Sequence, residues 1–309
     1  MVFTEKIIKD LGLFWQYPVI TEKTFYLQNK ENENYIGLPW ATIHDVWRWN
    51  PAKINNLIHN LSPLLDSKKN YYTCCQQIAF SQAKFLNLWK ILGINTVYAS
   101  HKTIGGDIIH GIKIIACPLY AVNIEDKSRN KIFLGKDLLN IKRDILYSFS
   151  GGYQPADYLT DIRPRIYQLP HYSNCYIKNT GMWHFGPIVY SKKQNKNGDL
   201  NTNIDHRQKN ILYNELLLKS RYTLCPSGSG PNSIRFWEAL GAGSIPVLLA
   251  DTLELSAHEL WEKAIVRVKE KDLGIVPKLL ANISVEEERK RREYCLTLYS
   301  YFKNNYRNR

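Results

Sequence analysis

The residues best suited to chemistry lie in one stretch, RYTLCPSGSGPNSIRFWEALGAGSIPVLLA, at 221–250. A Ser/Gly loop there separates a β-rich run, 221–225, from a predicted helix, 232–240. Backbone N–H groups at the start of a helix, together with the helix dipole, favour a bound anion such as a phosphate. Arg235 could add positive charge at that point. Glu238 follows three residues later on the same helix face and could accept hydrogen bonds from sugar hydroxyls.

The elements around this loop are predicted from its neighbours. Pro231 suits the first turn of the helix, where its missing N–H needs no partner. Gly241-Ala242-Gly243 ends the helix, and the apolar run 245–249 predicts a second strand. Strand, loop, helix and strand form a βαβ unit with an anion site at its mouth. The alternative is an ordinary βα turn, since the glycine spacing matches neither the P-loop nor G-x-G-x-x-G.

The composition indicates a globular, basic protein. Its 309 residues, 44% hydrophobic and 22% charged, allow two domains of ordinary size. No apolar run approaches the ~18 residues that span a membrane, and the N-terminus resembles no signal peptide. The six cysteines form no C-x-x-C pair and no cluster with histidine, so neither a zinc site nor a disulfide framework is expected. We therefore expect a cytoplasmic protein.

A net charge of +13 favours an anionic partner: a nucleic acid, a membrane surface or a charged substrate. The basic residues are scattered except at 192–196 and at Arg289–Arg292. The second group lies in a predicted helix with acidic residues on its N-terminal side. A solvated amphipathic helix explains it, and peripheral contact with anionic lipid headgroups is the alternative.

Strands and helices alternate along the chain, which predicts an α/β protein with parallel sheets. Strands are expected at 70–76, 96–100, 111–116, 144–149 and 175–177, and helices at 81–92, 161–169 and 213–219. A break between Lys127 and Lys142 divides the chain into an acceptor-binding domain, 1–140, and a nucleotide-sugar-binding domain, 141–285. The remaining helix, 286–309, is expected to pack back on the first domain.

From about Ile145 to Phe302 the chain resembles the C-terminal half of the exostosin glycosyltransferases, including their bacterial members. The resemblance rests on SFSGGYQPADYLTDIRPRIYQL (148–169), YNELLLKSRYTLCPSGSGPNSIRFWEALGAGSIPVLLADTLEL (213–255), AIVRVKEKDLGIVPKLLANIS (264–284) and YCLTLYSYF (294–302). It implies a GT-B architecture, in which two Rossmann-like domains face each other across a cleft. It also implies inversion at the anomeric carbon and no metal or other cofactor, and the sequence contains no Asp-x-Asp pair.

The resemblance assigns a nucleotide-sugar site to the region around 221–250. Glu238 would bind the ribose hydroxyls, and Arg235 and Arg163 would contact the diphosphate. Loop and helix-start donors would come from Ser227, Gly228, Ser229, Gly230, Asn232 and Ser233. His184 and Trp40 are candidates for contact with the donor sugar or the acceptor. A buried packing role is an equal alternative for His184, and it is the more common role for tryptophans such as Trp40.

An inverting transferase also needs a general base for the acceptor hydroxyl. His101, just beyond a predicted strand, is one candidate, and Asp107 and Asp45 are the others. The sequence does not choose among these three residues.

The function expected from these features is an inverting hexosyl- or pentosyltransferase that uses a UDP-sugar. It would extend a glycan or lipid-linked glycan in surface polysaccharide biosynthesis. One alternative is a transferase-like protein that binds a glycan without catalysis. The other is a nucleic-acid-binding protein, which the scattered basic residues disfavour.

Overall fold

The structure is a computed structural model, and it describes residues 2–120, 122–181 and 204–305. The helices of these ranges are α1 Val2–Asp10, α2 Thr21–Asn29, α3 Trp40–Asp45, α4 Pro51–Leu61, α5 Ala83–Ile91, α6 Val122–Glu125, α7 Ile162–Gln168, α8 Ile204–Lys219, α9 Ile234–Ala242, α10 Trp261–Ala264, α11 Val276–Asn282 and α12 Val285–Asn304. The strands are β1 Tyr71–Cys75, β2 Ile94–Ala99, β3 Ile108–Ile109, β4 Ile112–Ala116, β5 Ile145–Gly151, β6 Tyr176–Asn179, β7 Ser220–Pro226, β8 Ile245–Leu249 and β9 Val266–Arg267.

The strands form two separate sheets, as the alternation of elements predicts. The first has the order β1-β2-β4-β3, with β1, β2 and β4 parallel and the short β3 antiparallel to β4. The second has the order β6-β5-β7-β8-β9 and is parallel throughout. Every residue of β8 is buried, because this strand lies between β7 and β9 and helices α9 and α12 pack against it. The α/β class is therefore confirmed.

The order in which the chain adds strands to the second sheet reverses between β5 and β7. The chain passes from β5 to β6 on one side, and then returns to place β7 on the other side. A parallel sheet opens a crevice at such a point, outside the carboxyl ends of its strands. The loops that follow β5 and β7 therefore lie side by side, and they contain 152–161 and 227–233.

Each sheet and the helices around it form one unit of the protein. A buried arginine in the linker between the two sheets bonds to helices of the second unit, which contains the second sheet. Arg143 Nη1 donates to the carbonyls of Leu217 (2.7 Å) and Ser220 (3.0 Å), and its Nη2 donates to that of Ala242 (2.7 Å). These carbonyls lie at the C-terminal ends of α8 and α9, where helices lack partners for their last C=O groups. Burial lowers the pKa of Arg143 to about 9, so it remains charged at neutral pH.

A seam of hydrogen bonds joins the two units where β2 and β8 end. Thr103 and Leu253 form an antiparallel bridge, and the Glu254 N–H donates to the Lys102 carbonyl at 3.1 Å. The Lys102 side chain is only 4% exposed, and it pairs with Asp107 of its own unit at 2.6 Å and with Glu254 of the other. The seam fixes one side of the cleft between the units.

The C-terminal helix contacts both units. α12 lies mainly against α9 and α10 of the second unit, and Arg292 Nη1 near its start donates to the Leu139 carbonyl at 3.1 Å, while its last turns reach α6. There Tyr299 donates to Glu125, and Lys303 pairs with Glu125 at 3.1 Å. Its basic cluster is engaged locally: Lys290 pairs with Glu286, and the buried Arg292 pairs with Glu288, four residues away in each case.

No described helix combines the length and apolar character needed to cross a membrane.

A buried carboxylate lies where α2, α3 and β1 meet. Glu22 accepts hydrogen bonds from the backbone N–H groups of Gln76 (3.0 Å) and Ala41 (3.3 Å). Its side chain is almost fully buried, and burial raises its pKa to about 8 despite these two donors. The carboxyl group is therefore mostly protonated at neutral pH.

This pKa predicts how stability depends on pH. The unfolded chain ionises Glu22 near its ordinary pKa of 4.5, and the folded chain only near 8, so stability is lost as the pH rises through this interval. Glu22→Gln cannot ionise, and its free energy of unfolding should rise relative to wild type by roughly 1 kcal/mol per pH unit within the interval. Urea unfolding at pH 5, 6.5 and 8 measures the difference. Glu293→Gln, at an exposed position, is the control, and a difference independent of pH would contradict the prediction.

Candidate active site

A cavity of about 1060 Å³ lies between the two units. It opens at the crevice between β5 and β7, and both units contribute to its walls. Ten of the residues predicted from sequence line it: Asp45, His101, Arg163, Gly228, Ser229, Gly230, Asn232, Ser233, Arg235 and Glu238. The structure thus brings most of the predicted donor site together in one place.

Two arginines share the ring of Phe149 at the end of β5. The guanidinium of Arg235 lies 4.7 Å from the ring centre and that of Arg163 lies 5.7 Å from it. Arg235 Nη2 donates to the Ser150 carbonyl at 2.5 Å. Arg163 donates from Nε to the Ser227 carbonyl and from Nη1 to the Gly152 carbonyl, both at 2.9 Å. Backbone oxygens of the two crevice loops therefore hold both side chains.

Among the described residues, both guanidinium groups bond only to neutral oxygens, and no carboxylate lies within ion-pair distance. Arg163 and Arg235 are each less than 10% exposed, and Arg235 Nε has no partner in the described parts of the chain. Burial, and then the nearby Arg235, lower the pKa of Arg163 to about 10, so this group is cationic at neutral pH. Two buried positive charges without a counter-ion create a site for a polyanion.

Two glycines make room for these arginines. A Cβ atom at Gly151 would lie 2.9 Å from Arg235 Nη2 and 3.1 Å from Phe149 Cζ. A Cβ at Gly228 would lie 3.1 Å from Arg163 Nη2. The Gly-rich character of both loops therefore reflects close approach of the guanidinium groups as well as the bend of the backbone.

Glu238 lies on α9 one turn after Arg235 and is fully buried at the cavity wall. Its Oε1 accepts from Asn123 Nδ2 at 2.7 Å, and the hydroxyl of Tyr213 also hydrogen-bonds the carboxylate. Burial raises its pKa to about 7, although Tyr213, Arg235 and Asn123 each favour the charged form. A carboxylate with remaining lone pairs beside a cationic pocket can accept hydrogen bonds from hydroxyl groups of a ligand.

His101 and Asn232 lie where the seam meets the cavity. Asn232 Nδ2 donates to the Ser100 carbonyl at 2.6 Å, and its Oδ1 accepts from Trp237 Nε1 at 3.2 Å. The Asn232 side chain therefore joins the two units, while its neighbour Ser233 is the N-cap of α9 with no capping side-chain bond. His101 Nδ1 is buried against Gly230 without a partner in the described residues, and burial lowers the pKa of this imidazole to about 3.

Several sequence expectations are not met. Trp40 is fully buried, its Nε1 donates to Thr73 Oγ1 at 2.7 Å, and so its ring offers no face to a sugar. Asp107 lies outside the cavity, paired with Lys102. Helix α9 begins at Ile234, and Pro231 therefore precedes it instead of occupying its first turn. His184 lies outside the described residues.

Ser227 also has a different role from the predicted one. Its carbonyl holds Arg163, and its hydroxyl donates to Glu270 Oε1 at 3.2 Å instead of facing the cavity. It positions an arginine and does not itself line the site.

The structure adds site residues that sequence reasoning missed. Asn123 and Tyr213 hold Glu238, and Tyr158 lies under Arg163 with 4.5 Å between its ring centre and the guanidinium. Gln16 and Gln77 line the opposite wall. Each is an isolated residue on a separate element, so no spacing in the sequence could connect them. Among the described residues, no group of three or more His, Cys, Asp or Glu side chains is placed to hold a metal ion.

The fit of Arg235 against Gly151 gives a prediction. Gly151→Ala should displace the guanidinium from the Ser150 carbonyl, because the new methyl group would lie 2.9 Å from Nη2. Affinity for inorganic pyrophosphate should fall about tenfold or more, the loss expected for one hydrogen bond to a charged group. Isothermal titration calorimetry measures it. Gly274→Ala is the matched control, since no atom lies within 4 Å of its Cβ position, and equal affinities in both variants would contradict the prediction.

The chain is similar to known proteins over much of its length. Residues 90–283, well over half of the chain, match the model of the Exostosin GT47 domain. The chain is 27% identical to Exostosin-1c of Danio rerio over 192 residues, which cover 61% of this chain and 25% of that protein. It is 34% identical to the Exostosin-1 homolog of Caenorhabditis elegans over 92 residues, 29% of this chain and 24% of the relative.

A plant relative matches a shorter segment. The Probable glucuronosyltransferase 47 A of Physcomitrium patens is 40% identical over 77 residues, 24% of this chain and 17% of the relative. The chain thus matches no more than about a quarter of the length of each of these three relatives. The family match covers most of the second unit, the crevice loops and strands β2 to β4 of the first sheet. With two parallel-sheet units facing across a cleft, the chain belongs to the exostosin GT47 family of glycosyltransferases and has the GT-B fold.

Proposed function

We propose that this chain transfers a sugar from a nucleoside-diphosphate sugar to a glycan or lipid-linked glycan acceptor. The observation that carries the proposal is the pair of buried arginines, Arg163 and Arg235, at the crevice between β5 and β7, which have no counter-ion among the described residues. A diphosphate supplies the negative charge that these guanidinium groups lack. Glu238, on the same helix as Arg235, is placed to accept hydrogen bonds from ribose hydroxyls.

The chemistry follows from where charge develops. An acceptor oxygen attacks the anomeric carbon as the bond from that carbon to the diphosphate breaks, and the diphosphate leaves with the electron pair. Arg163 and Arg235 stabilise the growing negative charge, and they are already fixed by backbone carbonyls before the reaction. Preorganised charge of this kind often supplies the largest part of a rate enhancement. Direct displacement from the face opposite the diphosphate inverts the anomeric centre, and in this proposal the two guanidinium groups, with no metal, neutralise the diphosphate.

For the donor we propose a UDP-sugar with a hexose, uronic acid or pentose. Support comes from the relatives, one of which is named a probable glucuronosyltransferase. Surface polysaccharide synthesis on the cytoplasmic side is the setting we propose. Contact of 289–292 with anionic lipid gains no support from the packing of α12, since Lys290, Arg291 and Arg292 all pair with carboxylates of the preceding turn.

The test combines binding and turnover. Arg163→Ala and Arg235→Ala should each lower the release of UDP from a panel of UDP-sugars by about 100-fold, as removal of a fixed donor to a developing anion does elsewhere. Both variants should also bind UDP more weakly in calorimetry. Arg165→Ala is the matched control on α7, because Arg165 donates to the Glu270 carbonyl and lies outside the cavity.

The outcomes separate the candidate functions. Wild-type turnover in both arginine variants would reject the site. Tight UDP binding by wild type without turnover of any UDP- or GDP-sugar in the panel would favour glycan binding without catalysis.

A further inference from the structure

We propose that Asp45 is the general base that takes the proton from the attacking hydroxyl. This inference rests on the proposed function, since a base is needed only if a hydroxyl attacks the donor sugar. Asp45 ends α3 in the first unit, and its side chain lines the same cavity as Arg163 and Arg235. The arginines come from the second unit, so the base and the leaving-group site are supplied by different units.

Two neutral amides hold the carboxylate of Asp45. Gln16 Nε2 donates to Oδ2 at 2.9 Å, and Gln77 Nε2 lies 2.9 Å from both Oδ1 and Oδ2. A carboxylate has about four lone-pair positions, so room remains for an acceptor hydroxyl. Amide donors fix the orientation of the group without adding a positive charge, and they therefore reduce its basicity less than an arginine or lysine would.

The surroundings favour proton uptake. Burial raises the pKa of Asp45, while hydrogen bonds from Gln16 and Gln77 and the charge of His44 act in the opposite direction. The other titratable groups that interact with Asp45 are Glu22 on α2 and Cys75 at the end of β1. Both are buried with raised pKa values and are neutral at pH 7. Within the described parts of the chain, no lysine or arginine is among the groups that shift the pKa of Asp45.

The other proton acceptors of the described cavity wall are less suitable. His101 has a pKa of about 3, and a base this weak removes little of the hydroxyl proton. Glu238 is hydrogen-bonded by Asn123 and Tyr213 on the arginine side. Glu215 lies on α8 and pairs with Lys219 at 3.4 Å. Among the described residues, Asp45 is thus the cavity-lining carboxylate that belongs to the first unit.

The step balances without any further reactant. The oxygen of the acceptor hydroxyl forms a bond to the anomeric carbon, and its proton moves to a carboxylate oxygen of Asp45. The bond from the anomeric carbon to the diphosphate oxygen breaks, and the nucleoside diphosphate leaves with that electron pair. Solvent then removes the proton from Asp45 and restores the carboxylate.

The experiment uses a nucleophile that has no proton to lose. Asp45→Ala should lower the release of UDP from the best UDP-sugar of the panel by about 100-fold or more, the usual contribution of a general base. Sodium azide should restore UDP release and give a glycosyl azide of inverted configuration, because azide attacks without deprotonation. UDP affinity, measured by calorimetry, should stay within about threefold of wild type, which keeps a folding defect from imitating the result.

Asp107→Asn is the matched control, since Asp107 is a carboxylate of the first unit that lies outside the cavity. Near-wild-type turnover in Asp45→Ala would overturn the proposal, and so would a slow variant that binds UDP normally but gains nothing from azide. Arginine variants should not respond to azide, because their defect lies in the leaving group. Failure of wild type to turn over any donor rejects the proposed function itself, and the proposal for Asp45 is then rejected with it.

A positioning role for Gln77 can be checked in the same assay. Gln77→Leu removes an amide that favours the charged form of Asp45, so the pKa of the carboxyl group should rise. Turnover is present above this pKa and is lost as the pH falls through it, so the acidic limb of the rate profile should move to higher pH. The plateau rate should largely return at alkaline pH. An acidic limb at the wild-type pH would contradict the assignment of that limb to Asp45.

Discussion

Two like charges buried beside one aromatic ring are the constraint on which the rest of the site depends. Arg163 and Arg235 come from different helices and meet at Phe149 only because β5 and β7 are neighbours in the sheet. Backbone carbonyls hold both guanidinium groups, and Gly151 leaves the space they occupy. Burying both cations without a counter-ion costs stability, and such a cost is typical of a site built for a charged ligand.

The two carboxylates of the cavity, like the two arginines, are held by neutral groups. Glu238 is held by Asn123 and Tyr213, and Asp45 by two glutamine amides, all of them neutral. Neither carboxylate is joined in an ion pair to an arginine of the site. Because the described hydrogen-bond partners of each charged group are neutral, each group keeps bonding capacity for a ligand. A direct carboxylate–guanidinium pair would consume that capacity on both sides.

Local patterns in the sequence predict the strands, loops and site residues of the second unit well. The strand 245–249 is confirmed residue for residue, and the Gly-rich loop, Arg235 and Glu238 all reach the cavity. Long-range packing is where sequence reasoning fails. The sequence suggests Trp40 as a residue that stacks on a sugar, but it is a core residue hydrogen-bonded to Thr73. Nothing in the neighbouring sequence distinguishes a stacking tryptophan from a core tryptophan. The partners of Glu238 come from elements more than twenty residues away, so only the folded chain joins them.

The seam between the units has a consequence for opening of the cleft. Lys102 is almost fully buried and has one carboxylate partner in each unit. If the units separate, Glu254 departs with the second unit, and Asp107 stays bonded to the lysine because both belong to the first. Glu254 is already 31% exposed, so water can solvate it as it leaves. Lys102 would keep one carboxylate partner throughout, so breaking this contact avoids the large penalty of an isolated buried ion.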